Sequence, residues 1–515
     1  MKKNNKKDKP IYVLLFIIFI FAFVLRIWFL KFDSLSFYYD QARDFLVVKQ
    51  ILSGNIKIQG PPSSTPGLFH GVFYYYLLAP ISFLAKGSPI AIGYWIAFLN
   101  SLAVFIVFAI ANTAFKKPWL GVLSALLFAV SFESTQYATW VSNPTIAIWT
   151  VPLLYLGLWL WFTPRSSKSE VWVGPVLTAI GFGLSVQAEI FLLYHAIPIL
   201  IWLYIHKKNI SKKQIITFLA VLTASVFSLI LCEFKFGFGS ISAFKSLATT
   251  SGGNLAYTKS VGDYLVLYLN QIGRVFALNT FPGNIGIGGA LIIVLGVYSL
   301  LNFKKDKYPA FLAIWLFSHI TVVSVGGIST PFLMVGIGPA VSLILAFYIY
   351  KLYVNKSKFL AILFILIMVY GNLFFVFSQN KSGSTLFAIQ KSMIISKQKA
   401  AIDYTYEITD GEPFSINTLT SPLWINIVWT YLYNWYGMNQ YGYVPLWHGK
   451  DQVGQLDSLE RVETPLKQSF LILEPMAGIP AMYLPIAIGE EDVDTMLLEE
   501  KSFGEIVVQS RTLLK

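Results

Sequence analysis

The chain has 515 residues, of which 56% are hydrophobic, 16% aromatic and only 13% charged, and its mean hydropathy is +0.62. Soluble domains carry about a quarter charged residues, so this composition excludes an ordinary soluble protein and indicates a polytopic membrane protein. The formal net charge of +13 comes largely from lysine clusters between apolar runs, as in cytoplasmic loops, so nucleic acid is not an expected partner. The single cysteine, Cys232, excludes a disulfide within the chain.

The apolar runs predict eleven membrane spans. The first, near residues 11–30, follows a lysine-rich segment, which predicts a retained helix with a cytoplasmic N-terminus. The aromatic segment 69–84 is short, and we interpret it as a surface or re-entrant helix because counting it as a span would place basic residues outside. The spans are then 11–30, 90–114, 119–137, 144–163, 171–187, 190–206, 214–233, 285–303, 308–325, 331–350 and 358–378. The basic clusters between spans all fall on the cytoplasmic side: Lys116–Lys117, Arg165–Lys168, Lys207–Lys213, Lys304–Lys307 and Lys351–Lys358.

The first outer loop, residues 31–89, carries the densest polar chemistry. Its beginning predicts a short amphipathic helix over 40–52, which would lie along the membrane surface. Asp40 and Asp44, four residues apart, share one side of this helix, and Arg43 lies beside them. Carboxylates are costly near hydrocarbon, so acids kept at a membrane boundary together with a cation indicate a functional site.

The remaining outer segments are mostly short. Tight turns are predicted at 133–143, 187–189 and 326–331, and the longer segment 233–283 is interpreted as a lid or a partly helical loop. After residue 378 the runs shorten to strand and helix lengths, as in PFSINTL, LWINIVWTYLYNWYG and SFLILEP. The predicted fold is therefore a mainly α membrane bundle, residues 1–378, followed by a small extracytoplasmic α/β domain, residues 379–515.

An outward site with paired acids and cations is suited to transfer from a lipid phosphate. An ionised carboxylate can accept a hydroxyl proton as that oxygen attacks carbon, and Asp40 fits this role. A phosphate leaving group needs cations rather than a strong acid, and the nearby candidates are Arg43, Lys49 and Lys57. Asp44 is the second candidate catalytic residue beside Asp40, and it would orient the acceptor or a divalent ion.

Four segments carry a family resemblance: Asp40-Gln41-Ala42-Arg43-Asp44, Gly54–Pro61, Gly71–Pro80 and Ser142-Asn143-Pro144. They resemble the membrane glycosyltransferases of the GT-C fold, and most of all the branch with protein O-mannosyltransferases and the lipid A aminoarabinose transferase. The resemblance implies a multi-pass protein of the cell membrane with its active site in the first outer loop. It also implies a polyprenyl-phosphate sugar donor, an extracytoplasmic acceptor (protein, lipid or glycan) and inverting transfer, with Asp40 as the catalytic acid residue.

The sequence departs from that pattern at three places. Gln41 stands where many members have a second acid. Asn143 stands where relatives often carry Asp in the second outer turn, and an amide cannot act as a base. Gln187 and Glu189 occupy the turn where a basic residue is common. Donor identity and metal use therefore remain open, and a divalent cation is the one cofactor that the sequence leaves open.

Several other polar residues are candidates for the acceptor site or its cavity, each with a plain structural alternative: His70, Tyr74, Glu133, Asn143, Gln187 and Glu189. His70 could be simply hydrogen-bonded, Tyr74 could belong to an interfacial aromatic belt, and the two glutamates could reach lipid headgroups. The aromatic residues of 424–436 could stack on saccharides, although a core helix of the C-terminal domain is the simpler interpretation. Two other function classes stay open: a transporter or flippase of lipid-linked saccharides, and an inactive saccharide-binding scaffold.

Overall fold

The structure, a computed structural model, describes residues 9–63, 65–163, 170–249, 260–280, 285–321, 331–380, 383, 385–450 and 458–514. The lysines of residues 2–7, the cluster of Arg165 and Lys168, and most of the predicted turn 326–331 lie outside the described residues.

The membrane part is built from α-helices, and short 3₁₀ turns occur between several of them. The helices of this part are α1 Lys9–Ile27, α2 Tyr39–Leu52, α3 Phe73–Leu84, α4 Pro89–Phe115, α5 Pro118–Val130, α6 Phe132–Thr139, α7 Ala147–Phe162, α8 Glu170–Ala188, α9 Ala196–Ile205, α10 Lys212–Ser225, α11 Phe227–Lys235, α12 Gly239–Thr249, α13 Val261–Asn279, α14 Ile285–Leu301, α15 Lys307–Leu316, α16 Gly338–Asn355 and α17 Lys358–Gln379. The two expected helices of the first outer loop are confirmed as α2 and α3, and the long segment after residue 233 is largely helical, as α12 and α13.

Within the described residues, five of the eleven predicted spans are helices long and apolar enough to cross a membrane, or up to seven if bent helix pairs are counted. Five are continuous: Lys9–Phe32, Pro89–Phe115, Asn143–Phe162, Val171–Ala188 and Lys358–Gln379. Two more count if each bent helix pair is one span, α5 with α6 at 53° and α10 with α11 at 59°. Among the described residues, the helices in the other four predicted spans do not reach this length and apolar character, and the span predicted at 308–325 extends beyond the described residues.

Glycines allow α7 and α8 to pack closely. A Cβ on Gly157 would lie 2.3 Å from the backbone nitrogen of Thr178, and one on Gly181 would lie 2.3 Å from that of Leu154. Small residues at a helix crossing are typical of helices that pack within a membrane. There the hydrophobic effect does not drive helix association, and close packing of the backbones does. This helix pair fixes the position of the turn after α8, which borders the site described below.

The C-terminal part combines helices with one five-stranded sheet. Its elements are α18 Ile395–Thr409, β1 Ser415–Leu419, α19 Ile427–Leu432, a π-helical turn Tyr433–Gly437, α20 Met438–Tyr441, β2 Leu446–Trp447, β3 Gln468–Leu473, α21 Tyr483–Asp494, β4 Thr495–Phe503 and β5 Ile506–Leu513. The strand order is β2-β1-β3-β5-β4; β1 pairs in parallel with β2 and β3, and β5 pairs antiparallel with β3 and β4. The α/β character predicted for this region is confirmed.

The C-terminal part holds the chain that leads into α2. The amide of Phe37 donates to the carbonyl of Met393 at 2.9 Å, and Gln398 Nε2 donates to the Phe37 carbonyl at 2.8 Å. Lys399 Nζ lies 2.6 Å from Asp33 Oδ2. These bonds reach across more than 350 residues of sequence, so the start of α2 is fixed by both parts of the molecule.

Candidate functional site

Gln41 positions the first turn of α2. Its Oε1 accepts from the backbone N–H of Tyr38 at 3.2 Å, and its Nε2 donates to the carbonyl of Val141 at 3.0 Å. The Tyr38 hydroxyl in turn accepts from Trp140 Nε1 at 2.6 Å. The amide thus ties the N-terminus of α2 to the turn after α6, and a carboxylate there could not donate to the Val141 carbonyl.

Arg43 lies between the two aspartates of α2. Its Nη1 is 2.8 Å from Asp40 Oδ1, and its Nε and Nη2 donate to Asp44 Oδ1 at 2.9 and 2.8 Å. We call these three residues the α2 triad. The helical spacing of three and four residues places all three on one side of the helix, as the sequence predicts.

The two acids of the α2 triad lie in opposite environments. Asp44 is fully buried and also accepts from the Tyr75 hydroxyl at 3.2 Å. Burial raises the pKa of Asp44 to about 6, although the adjacent Arg43 opposes this shift. The Asp40 side chain is 41% exposed, and within the described residues its carboxylate bonds to Arg43 through Oδ1. Asp40 is therefore the acid that a substrate can reach, whereas Asp44 holds Arg43 in place.

His70 fastens the first outer loop to the turn after α8. Its Nδ1 accepts from the backbone N–H of Ile190 at 3.2 Å and lies 3.6 Å from Glu189 Oε1. Burial, assisted by the positive charge of Arg43, lowers the pKa of His70 to about 3, so the ring is neutral. These contacts fit the plain structural alternative given for His70, that of a hydrogen-bonded ring.

Gln187 and Asn143 make further hydrogen bonds at the C-terminal end of α8. Gln187 Oε1 accepts from the backbone N–H of Phe73 at 3.1 Å, and its carbonyl accepts from the Gly71 amide at 2.8 Å. Asn143 Nδ2 donates to the Ala188 carbonyl at 2.6 Å. Both amides bond to backbone groups: Gln187 holds the segment before α3 on α8, and Asn143 holds the turn before α7 on the end of α8.

The predicted phosphate-binding lysines lie apart from the α2 triad. Lys49 is on another face of α2, where it lines a separate pocket, and Lys57 follows the helix with its backbone bonded to the hydroxyl of Tyr76. The helical period explains why Lys49 lies on another face, because the six residues from Arg43 to Lys49 correspond to a rotation of about 240°. Tyr74 is fully buried, so it does not belong to an interfacial belt, and its hydroxyl lacks a hydrogen-bond partner among the described residues.

Glu133 lies near Arg274, an arginine that the sequence analysis did not single out. Glu133 is buried at the start of α6; its Oε2 accepts from Asn279 Nδ2 at 2.6 Å, and its Oε1 lies 3.9 Å from Arg274 Nη1. Arg274 and Asn279 belong to α13, and the Arg274 side chain is 17% exposed with a buried Nε that no described group accepts from. A lone arginine in the apolar run YLVLYLNQIGRVFALN was the available signal.

Contacts connect the α13 arginine to the α2 triad. Arg274 Nη2 and the Tyr137 hydroxyl both donate to the Pro331 carbonyl, at 3.4 and 3.0 Å. The next ring, Phe332, lies 6.2 Å from Trp140, which bonds to Tyr38 at the start of α2. These contacts link Arg274 to the N-terminal end of α2, which carries Asp40.

The described residues contain no group of three or more histidine, cysteine or acidic side chains arranged to hold a metal ion. Within the α2 triad, Arg43 occupies the position between the carboxylates that a cation would take.

Comparison with known proteins identifies the fold. No family model matches the sequence, and no curated protein matches it. Among solved structures, ArnT from Cupriavidus metallidurans bound to undecaprenyl phosphate is 10% identical, with a TM-score of 0.59 over 98% of this chain and 98% of that chain. The apo state of the same protein is 11% identical, with a TM-score of 0.57 over 96% of this chain and 97% of that one. The predicted GT-C fold is confirmed by this similarity over nearly the whole chain.

Proposed function

We propose that this protein is an integral membrane glycosyltransferase that moves a sugar from a polyprenyl-phosphate donor to an extracytoplasmic acceptor, with inversion at the anomeric carbon. The observation that carries the proposal is the α2 triad. It presents one reachable carboxylate, Asp40, on a GT-C fold, and a structure of that fold has been determined bound to undecaprenyl phosphate.

Asp40 is the proposed general base. The acceptor oxygen attacks the anomeric carbon while its proton passes to Asp40, and the bond from that carbon to the donor phosphate oxygen breaks. The leaving group is polyprenyl phosphate, which keeps the bonding electrons and needs no proton. Arg43 orients Asp40 through the 2.8 Å contact, and Asp44 supports Arg43 from the buried side.

Arg274 is the better candidate for the donor phosphate. Arg43 already faces two carboxylates at 2.8 Å, so its charge is offset within the α2 triad. Among the described residues, the acid nearest Arg274 in the ion pairs is Glu133, at the longer distance of 3.9 Å. A guanidinium can bind a phosphate through two parallel hydrogen bonds, and the partly buried position of Arg274 strengthens such bonds. We therefore assign the phosphate to Arg274 in place of Lys49 and Lys57.

The decisive experiment compares Asp40→Asn with a matched control. In detergent-purified protein given a labelled polyprenyl-phosphate sugar, Asp40→Asn is expected to lower the release of free polyprenyl phosphate by about 10²- to 10⁴-fold, the usual contribution of a general base. Asp410→Asn is the control, because Asp410 is exposed and its left-handed φ of 47° suits asparagine. Equal release from Asp40→Asn and wild type would remove Asp40 from the mechanism. An absence of release from wild type with every acceptor class tried would favour a transporter or a binding scaffold instead.

A further inference from the structure

Glu133 is held in place at the bend between α5 and α6. The Ser131 hydroxyl donates to Asn279 Oδ1 at 2.6 Å, which fixes the orientation of that amide. The amide Nδ2 then donates to Glu133 Oε2 at 2.6 Å and to the Val275 carbonyl at 2.7 Å. A Cβ on Gly338 would lie 2.6 Å from the same Oε2. The carboxylate is thus confined by an amide on one side and by the backbone at the start of α16 on the other.

The surroundings of this carboxylate suit its ionised form. Glu133 lies in the first turn of α6 and beside the first turn of α16, where the positive ends of the two helix dipoles favour a negative charge. Its second oxygen, Oε1, is buried without a hydrogen-bond partner among the described residues and lies 3.9 Å from Arg274 Nη1. One oxygen of Glu133 therefore faces the guanidinium and is not neutralised by a hydrogen bond.

Arg274 can be reached from solvent, whereas Glu133 cannot. The Arg274 side chain is 17% exposed and the Glu133 side chain is 2% exposed. Arg274 Nη2 donates to Gln271 Oε1 at 3.2 Å and to the Pro331 carbonyl at 3.4 Å, whereas Nη1 and the carboxylate are too far apart for a hydrogen bond. An anion that binds the guanidinium therefore comes close to a fixed negative charge behind it.

The charge of the phosphate changes during the proposed transfer. The donor is a phosphodiester with one negative charge, and the leaving polyprenyl phosphate is a monoester whose second charge is present above a pKa of about 6. A phosphate oxygen about 2.8 Å from Arg274 Nη1 would lie no more than about 7 Å from Glu133 Oε1. With an effective dielectric constant of about 20 or more, one added charge at that distance weakens binding by up to about 50-fold.

We propose that Glu133 makes the Arg274 site select phosphodiesters over phosphomonoesters, so that the site holds the donor lipid and releases the polyprenyl phosphate product. Arg274 supplies the attraction that both lipids share, and Glu133 supplies a repulsion that acts more strongly on the dianionic product. The same repulsion opposes the charge that develops on the leaving phosphate, so faster release comes at some cost to the transfer step. This inference rests on the proposed function, which assigns the donor phosphate to Arg274.

The test compares two lipids at pH 8.5: undecaprenyl phosphate, which is then a dianion, and its methyl ester, a phosphodiester with one charge. Each is titrated into the full chain in a non-ionic detergent. Glutamine at position 133 keeps an oxygen that accepts from Asn279 Nδ2, so the local contact is retained. Glu133→Gln is expected to raise the affinity for the monoester relative to the methyl ester by about 10- to 50-fold. Asp492→Asn is the matched control, because Asp492 pairs with Arg511 in the C-terminal part, and it is expected to keep the wild-type ratio.

Arg274→Gln separates a failure of this inference from a failure of the proposed function. If it weakens binding of both lipids while Glu133→Gln leaves the ratio of their affinities unchanged, the phosphate site stands and the selection by Glu133 is wrong. If Arg274→Gln binds both lipids as the wild type does, the phosphate assignment is wrong and the selection is overturned with it. Equal tightening of both lipids in Glu133→Gln would also contradict the proposal, because a purely structural role would affect both alike.

Discussion

Removing the positive charge of Arg43 is expected to make the stability of the protein depend steeply on pH. Asp44 is fully buried, and Arg43 donates to it through Nε and Nη2 at 2.9 and 2.8 Å. With Arg43 present, burial still raises the pKa of Asp44 from 3.8 to about 6. In Arg43→Met the carboxyl loses its counter-charge, so its pKa rises further and it stays protonated at neutral pH.

The magnitude follows from linkage. In the wild type the cost of ionising Asp44 grows as pH rises from 3.8 to about 6 and is constant above that, because the folded carboxyl is then ionised. In Arg43→Met the folded carboxyl keeps its proton, so stability continues to fall by about 1.4 kcal/mol for each pH unit above the wild-type pKa. The expected extra loss is about 1 kcal/mol at pH 7 and grows by about as much for each further pH unit over which the folded carboxyl keeps its proton.

The double variant Arg43→Met/Asp44→Asn supplies the control, since it lacks both the cation and the titrating group. The free energy of unfolding is measured in detergent micelles between pH 6 and pH 9 for the wild type and both variants. Only Arg43→Met is expected to show the added slope. Parallel pH dependences for the single and double variants would refute the buried ion pair as the source of the effect.

Two further pairs of variants test the proposed phosphate site and the packing of the loop before α3. Arg274→Gln is expected to weaken binding of undecaprenyl phosphate by about 10- to 150-fold, as for the loss of a charged hydrogen bond. Glu133→Gln is expected to leave this binding unchanged or to tighten it. Direct titration of the lipid into the protein in detergent measures both affinities. Gly71→Ala would place a Cβ 2.5 Å from Gln187 Oε1 and is expected to destabilise the protein by about 1–3 kcal/mol. Gly489→Ala, in α21 with open space around it, is expected to stabilise by up to about 1 kcal/mol, and thermal unfolding of both variants checks the contrast.

The sequence was sufficient for the features set by local periodicity. The helix expected over 40–52 is observed as Tyr39–Leu52, and the spacing of three and four residues placed the α2 triad correctly on one side. The segments PFSINTL and SFLILEP became the neighbouring parallel strands β1 and β3. The buried side of the helix follows from its period of 3.6 residues, whereas the two strands, which are buried at nearly every position, follow from the length of their apolar runs.

The features that depend on distant contacts could not be read from the sequence. Arg274 lies in a segment that was interpreted as a lid or partly helical loop. Its place in an apolar run was a signal, but its approach to Glu133, 141 positions earlier in the chain, is visible only in the structure. Lys49 was grouped with Arg43 because both are basic and close in sequence, yet the helical rotation places Lys49 beside Lys86 and Tyr431. Proximity in sequence does not imply proximity across a helix.

The departures from the family pattern illustrate how tertiary contacts give a residue its role. Gln41 both accepts from Tyr38 and donates to Val141, which requires an amide, since an ionised acid only accepts. Asn143 likewise donates to the Ala188 carbonyl. Each amide bonds to a backbone group in the bundle that surrounds the α2 triad, so a change from acid to amide at these positions gives up a charge and gains a fixed loop. The acidic chemistry is then concentrated on Asp40, whose partner Arg43 is itself held by the buried Asp44.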